Sequence, residues 1–246
     1  MIQFDLLTLF PEIFTSPVNE SILKRAKDAG LISLRLFNIR AFSSDKHKSV
    51  DDAPFGGGDG MVMKPEVLQK AILAVMQDGP GAPVILLSPQ GRRFDQQWAQ
   101  SLSKLERIIL VCGRYAGIDE RVVERLVDEE LSIGDYVLSG GEIPALVVIE
   151  AVTRLIPGAL GNEESVKVDS FPERLEFNQY TRPRLFEAAE PPETILSGDH
   201  KKIEEWRKKE SLRKTLLKRP DLLLRYPPDQ DEAELLEKIK QELLKD

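Results

Sequence analysis

The run Arg107-Ile-Ile-Leu-Val-Cys112, followed at once by Gly113-Arg-Tyr115, decides the fold class of this chain. A short apolar run that is rich in β-branched residues and ends at a glycine turn is typical of a buried strand. Two further runs, Val84–Ser88 and Ile133–Leu138, have the same character and also lead into glycine turns. We therefore predict three buried strands, each followed by a glycine-bearing loop.

Helical segments alternate with strands along the first two thirds of the chain. Two more strands are predicted at Ile2–Leu9 and Ile32–Asn38, the second from its alternation of apolar and polar residues. The predicted helices are Glu20–Ala29, Glu66–Met76, Asp95–Leu105, Ile118–Val127 and Ile143–Leu155. Strands that alternate with helices predict an α/β fold with a mostly parallel sheet covered on both faces.

The pattern changes after residue 157. Gly158–Ser170 has no apolar period and is typical of a linker, and prolines interrupt the chain beyond it. Asp199 is placed to cap a helix over His200–Leu217, and a last helix is predicted at Glu232–Leu244. We predict an α/β domain over residues 1–160, a linker over 161–174 and a smaller helical domain over 175–246.

Composition restricts the class of protein. The 246 residues are 41% hydrophobic and 30% charged, with one cysteine and a net charge of −7. This composition is typical of a globular protein that needs no disulfides and folds in a reducing setting. The first residues do not resemble a signal peptide, and no apolar run reaches the roughly 20 residues that a membrane span requires. We therefore expect a cytoplasmic protein that does not associate with a membrane.

The three glycine loops that follow strands predict a small-molecule pocket, because ligands of open α/β sheets bind at the carboxyl ends of the strands. Neither a dinucleotide-binding fingerprint nor a P-loop is present, which disfavours an enzyme that cradles nucleotide phosphates. Cys112 is expected in the core and His47 in a surface loop. No spacing typical of a metal site occurs, so no metal ligand is predicted.

Several motifs identify a family. The chain resembles the bacterial tRNA (guanine-N(1))-methyltransferases, the TrmD family of the SPOUT superfamily, nearly from end to end. The motifs are Leu87-Ser-Pro-Gln-Gly91, Val111-Cys-Gly-Arg-Tyr115, Gly117-Ile-Asp-Glu-Arg121, the run from Ser132 to Glu142, Leu9-Phe-Pro-Glu12, Asp45-Lys-His-Lys48, the Gly56–Gly60 loop, Tyr180-Thr-Arg-Pro183 and Trp206-Arg207.

This resemblance implies a SPOUT-type parallel sheet whose chain forms a deep trefoil knot. It implies S-adenosylmethionine as the methyl donor, a homodimer with active sites between subunits, and transfer to N(1) of the guanine at tRNA position 37. It also implies that Asp169 is the general base and Arg154 its electrostatic partner. By the same resemblance, the cofactor-binding residues are Leu87, Pro89, Gly113, Ile133, Gly134, Asp135, Tyr136, Val137, Leu138, Gly140, Gly141 and Pro144.

The partner tRNA requires a positive surface on an acidic protein. The window Lys201–Arg219 carries nine basic and three acidic residues, while the segment that follows it is acidic. On a helix, Lys202, Lys209 and Arg213 share one face. A solvated helix face is the alternative for any such pattern, but the resemblance places tRNA contacts in this domain. We therefore predict these three residues as tRNA-binding.

One position departs from the family pattern. The family usually has glutamate between the tyrosine and glycine that are here Tyr115 and Gly117, whereas this chain has Ala116. The change puts in doubt an acidic contact to the cofactor amine and a role for magnesium. It keeps open a catalytically weakened or silent RNA-binding homologue as an alternative function. A different nucleotide-dependent α/β enzyme is a third possibility, and the missing phosphate motifs count against it.

Overall fold

The structure is a computed structural model, and it describes residues 1–160, 171 and 173–244. The chain divides into two compact units, Met1–Glu163 and Glu164–Asp246. The first is an α/β unit and the second is helical. The predicted linker over 161–174 lies mostly outside the described residues, so the domain boundaries stay predictions.

The first unit is built on a five-stranded sheet in which every neighbouring pair is parallel, in the order β2-β1-β6-β5-β7. This arrangement confirms the predicted α/β class, while the trefoil knot stays a prediction. The strands of the unit are β1 (Ile2–Thr8), β2 (Ile32–Asn38), β3 (Asp51–Asp52), β4 (Val62–Met63), β5 (Val84–Arg93), β6 (Arg107–Cys112) and β7 (Glu129–Ser132); β3 and β4 form a separate antiparallel pair.

Helices cover both faces of this sheet. They are α1 (Ser21–Asp28), α2 (Pro65–Gln77), α3 (Gln96–Leu102), α4 (Glu120–Leu126) and α5 (Glu142–Thr153). Successive side chains of a strand point to opposite faces. In β6, Ile108 and Leu110 accordingly pack with α1, α3 and α5, whereas Ile109 and Val111 pack with α2 and α4. Because both faces are buried, β6 is apolar throughout rather than alternating.

The second unit is a small helical assembly. Its helices are α6 (Glu193–Leu196), α7 (His200–Lys218), α8 (Pro220–Arg225) and α9 (Gln230–Leu243). Leu212 of α7 packs with Leu236 and Ile239 of α9 to form its core. The predicted cap is confirmed, since the Asp199 side chain accepts a hydrogen bond from the backbone N–H of Lys202 at 3.3 Å. Sequence analysis had not predicted α8.

One predicted strand is wrong. The strand at this place is β7, which ends at Ser132, before the predicted run Ile133–Leu138 begins. The Gly134 N–H donates to the Ser132 hydroxyl at 3.2 Å, and Gly134 has a φ of 144°, which regular strands do not use. The chain therefore leaves the sheet, and Tyr136 and Val137 extend from an irregular loop instead.

A buried carboxylate ties three neighbouring strands together. Asp5 of β1 is fully buried and accepts hydrogen bonds from Arg35 of β2 and Arg107 of β6, each at 2.7 Å. Arg107 also donates to the backbone oxygen of Pro80 at 2.7 Å. Burial raises the pKa of Asp5, but the two arginines outweigh it and hold that pKa below its ordinary value.

We expect Asp5→Asn to lower the free energy of unfolding by about 3–5 kcal/mol at neutral pH, because it leaves the charge of Arg107 buried without compensation. The pKa of Asp5 is lower in the folded state, so its contribution is complete above pH 3.8 and is lost as the pH falls through the folded value. Urea unfolding, followed by Trp98 fluorescence in a Trp206→Phe background, measures both effects.

The matched control is Asp78→Asn. Asp78 pairs with the same Arg35, at 2.7 Å, but its side chain is 64% exposed. Exposed pairs contribute about 0–1 kcal/mol, so this variant is expected to unfold nearly as the parent does. Equal destabilisation by the two substitutions would contradict the role assigned to Asp5.

Candidate functional site

The first unit contains a cavity of about 400 Å³. Most of its walls come from three segments: the middle of β5, the loop that follows β6, and the loop that follows β7. Residues of β7, α4 and α5 complete the lining. The cavity thus lies at the carboxyl ends of parallel strands, where open α/β sheets hold their ligands. Sequence analysis predicted a pocket at this position from the glycine loops.

The structure brings together most of the residues that the family resemblance indicated as cofactor-binding. Eleven of the twelve line this one cavity: Leu87, Pro89, Gly113, Ile133, Gly134, Tyr136, Val137, Leu138, Gly140, Gly141 and Pro144. Asp135 is the twelfth and is not among the lining residues. Whether these residues bind the cofactor stays a prediction, but their convergence from three segments is a property of the fold.

Close packing explains two of the glycines, Gly141 against backbone and Gly140 against the Arg114 side chain. A Cβ atom at Gly141 would lie 2.7 Å from the Cα of Cys112, and one at Gly140 would lie 2.2 Å from Nε of Arg114. The N–H of Gly141 donates to the backbone oxygen of Gly113 at 3.0 Å. Only glycine lets the loop after β7 approach the end of β6 this closely.

A buried ion pair lies next to the cavity, and sequence analysis assigned it no role. Glu142, the first residue of α5, is fully buried, and its carboxylate accepts a hydrogen bond from Nε of Arg114 at 2.9 Å. The Thr8 hydroxyl donates to its other oxygen at 2.7 Å. Both charged residues stand in the quoted motifs, but no sequence pattern reveals that they are buried and paired.

The predicted locations of Cys112 and His47 are confirmed. Cys112 is fully buried, and burial raises the pKa of its thiol well above the ordinary value, so it is a core residue. His47 is exposed in a surface loop.

Among the described residues, no group of three or more histidine, cysteine or acidic side chains could hold a metal ion. In the same residues, no helix is long and apolar enough to cross a membrane.

Comparison with known proteins supplies the decisive observation. The model of the family "tRNA (Guanine-1)-methyltransferase TrmD" matches residues 2–225. The chain belongs to the TrmD family. It is 52% identical to a protein of Dictyoglomus turgidum (99% of this chain, 98% of the relative) and 50% identical to one of Staphylococcus carnosus (98% of each). Both relatives are named tRNA (guanine-N(1)-)-methyltransferase, as is a protein of Chloroflexus aggregans that is 55% identical over 91% of this chain and 88% of its own.

The position at which the chain departs from the TrmD pattern lies at the cavity. Ala116 is a lining residue, and its N–H donates to the backbone oxygen of Met61 at 2.9 Å. A Cβ atom on Gly60 would lie 3.4 Å from the Cβ of Ala116, so the glycine-rich loop passes directly beside this position. The carboxylates of Glu120 and Glu130 remain in the cavity lining.

The two residues that the TrmD resemblance names as catalytic are placed differently. Arg154 is half-buried and caps the carboxyl end of α5, where its N–H donates to the backbone oxygen of Glu150 at 3.1 Å. Burial raises the pKa of Glu150, and the charge of Arg154 opposes that shift. Asp169 lies outside the described residues.

All three predicted tRNA-binding residues lie on α7. Lys202 is exposed, and its ammonium lies 3.3 Å from the carboxylate of Asp199. Lys209 is half-buried and donates to Glu242 of α9 at 2.6 Å. Arg213 is half-buried as well. Lys209 therefore has a structural partner that its helical spacing does not reveal.

We expect Gly113→Val to close part of the cavity without disturbing the fold. A Cβ atom at Gly113 would make only ordinary contacts, the nearest at 3.7 Å to Ile118 and Leu86, and the backbone there is not left-handed. The added methyl groups should weaken binding of S-adenosylhomocysteine by about 10-fold or more, since overpacking costs about 1–3 kcal/mol. Isothermal titration calorimetry measures the change.

The control for this variant is Gly81→Ala. Gly81 has no atom within 4 Å of the added Cβ and lies away from the cavity lining. Both variants are expected to melt within a few degrees of the parent chain. If folded Gly113→Val binds the probe with parental affinity, the ligand site is not this cavity.

Proposed function

We propose that this chain transfers the methyl group of S-adenosylmethionine to N(1) of the guanine at position 37 of tRNA, beside the anticodon. The observation that carries the proposal is the convergence of eleven family-indicated residues on one cavity, which lies at the carboxyl ends of β6 and β7 and beside the middle of β5. Membership of the TrmD family supports the reaction, and the relatives' name supports tRNA guanine as substrate. The silent RNA-binding alternative has no comparable support.

The lining of the cavity fits the proposed cofactor. Its volume of about 400 Å³ falls within the roughly 300–1,000 Å³ of small-molecule sites. Leu87, Leu138 and Pro144 offer apolar contacts, and the glycines let backbone groups approach a ligand. Bound there, S-adenosylmethionine would supply a methyl group activated by its sulfonium. The chain must then hold the acceptor nitrogen in line with that methyl group, and alignment can supply much of the rate.

Two residues would act on the guanine. Its N(1) carries a proton, and removal of that proton makes the nitrogen nucleophilic. We assign Asp169 as the general base that accepts the proton, and Arg154 as the cation that stabilises negative charge on the guanine oxygen. The family resemblance supports both assignments.

A second copy of the chain would complete the active site. The proposed homodimer is supported by apolar side chains that the isolated chain leaves in solvent. Val137 is 89% exposed and Ile143 of α5 is 50% exposed, and Val147 continues the same helix surface. Clustered exposed apolar residues mark interaction surfaces.

We also propose a cytoplasmic location, because the proposed substrate is a tRNA.

Magnesium is not assigned a step in this proposal. The described residues include no cluster of three or more metal-ligating side chains, and Ala116 removes the carboxylate that the family usually has at this point. The proposal therefore routes no step through a metal ion.

We expect Asp169→Ala to lower the single-turnover rate of methyl transfer by about 10²–10⁴-fold, the usual contribution of a general base. The affinity for S-adenosylhomocysteine should change little, because Asp169 is distant in sequence from the three glycine-bearing segments to which cofactor binding is assigned. Transfer from labelled S-adenosylmethionine to a tRNA transcript measures the rate. A near-parental rate would remove Asp169 from the mechanism.

The basic face of α7 should bind tRNA phosphates. We expect the triple variant of Lys202, Lys209 and Arg213 to alanine to raise the dissociation constant for tRNA without changing base preference. Each lost phosphate contact should flatten the slope of log affinity against log salt by roughly 0.7–0.9. Filter binding over a salt series measures both effects.

Two controls separate phosphate contact from other effects of that triple variant. Replacing Lys24, Lys27 and Lys104 of the first unit by alanine removes the same charge elsewhere. Glu242→Gln instead releases Lys209 from its ion pair, so it should leave tRNA affinity unchanged or increase it. If the α7 variant and the control triple weaken tRNA binding equally, α7 is not the binding face.

A further inference from the structure

The guanidinium of Arg114 is fixed from several sides. Both Nε and Nη2 lie 2.9 Å from the same carboxylate oxygen of Glu142, and Nη1 donates to the backbone oxygen of Ser139 at 3.1 Å. The ring of Phe10 lies 4.5 Å from the guanidinium carbon. With Gly140 packed against its Nε side, this arginine has one defined position.

Glu142 has no other charged partner among the described contacts. It is fully buried, and a buried carboxylate is costly unless it is paired and hydrogen-bonded. The Thr8 hydroxyl satisfies one of its oxygens, at 2.7 Å, and Arg114 satisfies the other. The chain thus places the Glu142 side chain next to the cavity wall, where it contacts Arg114 and is itself shielded from solvent.

Arg114 keeps donor capacity that no acceptor among the described residues uses. An arginine has five N–H groups, and the contacts with Glu142 and Ser139 engage three of them in the described structure. The side chain is 17% exposed and lines the cavity. The remaining two donors are therefore available to a ligand, and paired donors of an arginine match the geometry of a carboxylate.

The charges of the lining suggest which part of a ligand these donors would meet. Among the described lining residues Arg114 is the single cation, while Glu120 and Glu130 are the carboxylates. The amino-acid end of S-adenosylmethionine carries one carboxylate and one ammonium group. Charge complementarity therefore favours contact of the cofactor carboxylate with Arg114, and of the cofactor ammonium group with Glu120 or Glu130.

We propose that Arg114 binds the α-carboxylate of the cofactor, and that Glu142 is the positioning residue that orients Arg114 for this contact. The assignment rests on the proposed use of S-adenosylmethionine. It makes Arg114 a determinant of cofactor affinity and gives the buried Glu142 a function besides its part in the fold.

Truncation of the ligand tests the assignment on the unmodified protein. S-adenosylhomocysteine and its decarboxylated analogue, S-adenosyl-3-thiopropylamine, differ only in the carboxylate. Calorimetry should show that the parent chain binds the decarboxylated compound roughly 10- to 100-fold more weakly, the usual contribution of hydrogen bonds to a charged group. Equal affinity for the two compounds would overturn the proposal.

The protein side of the test uses Arg114→Met, which should bind both compounds with similar, low affinity. The double variant Arg114→Met, Glu142→Leu replaces the buried pair by apolar groups and should behave in the same way if the single variant folds poorly. The control is Arg121→Met, whose arginine pairs with Asp119 at the surface and is absent from the cavity lining; it should discriminate between the compounds as the parent does.

The positioning role of Glu142 has its own readout. Glu142→Gln should raise the KM for S-adenosylmethionine while kcat at saturating cofactor changes by much less, because the variant disturbs the orientation of Arg114 and leaves the reacting groups in place. A fall in kcat alone, with cofactor binding unchanged, would overturn this role.

The remaining outcomes separate this inference from the proposed function. Failure of the parent chain to bind S-adenosylhomocysteine at all would overturn both. Binding without discrimination would overturn the Arg114 assignment alone. If Arg114→Met leaves cofactor affinity unchanged but raises the KM for tRNA, the donors of Arg114 serve an RNA phosphate, and the assignment is wrong.

Discussion

The buried ion pair between Glu142 and Arg114 is the interaction on which the cavity depends. It joins the start of α5 to the loop after β6, and Thr8 ties the same carboxylate to the end of β1. The loop after β7 then packs against the guanidinium through Gly140, at a distance that any side chain would prevent. These contacts join the segments of the cavity wall to one another without a ligand.

The sequence predicts the sheet well and the cavity only in part. Ile32–Asn38 and Arg107–Cys112 are strands with the predicted bounds. The continuous apolar run of β6 reflects burial on both faces, whereas the alternation of β2 located the strand although most of its residues are only half-buried. The strand predicted at Ile133–Leu138 is wrong because Val137 and Leu138 line a cavity and are exposed, whereas in this run only Ile133 packs against the core. The ion pair between Arg114 and Glu142 was not predicted from the sequence, because its two residues are 28 positions apart and meet only in the folded chain.

The family resemblance indicates site residues that hydrophobic periodicity and glycine positions alone do not identify. It indicates the cavity residues, and the structure shows that eleven of them meet in space. The structure also adds two facts that the resemblance does not contain. Lys209 is paired with Glu242 within the helical unit, and Glu120 and Glu130 line the same cavity as Ala116. We therefore propose a cofactor pocket whose shape depends on close backbone approach and on one buried ion pair, and a tRNA-binding face on the basic helix α7.

The most direct test of this account is methyl transfer from labelled S-adenosylmethionine to two tRNA transcripts that differ only at position 37. The account predicts that the transcript with guanine at that position gains one methyl group, found at N(1) by mass spectrometry of the nucleosides, and that the transcript with adenine gains none. Equal labelling of both transcripts, or no labelling of either by protein that binds S-adenosylhomocysteine, would contradict it.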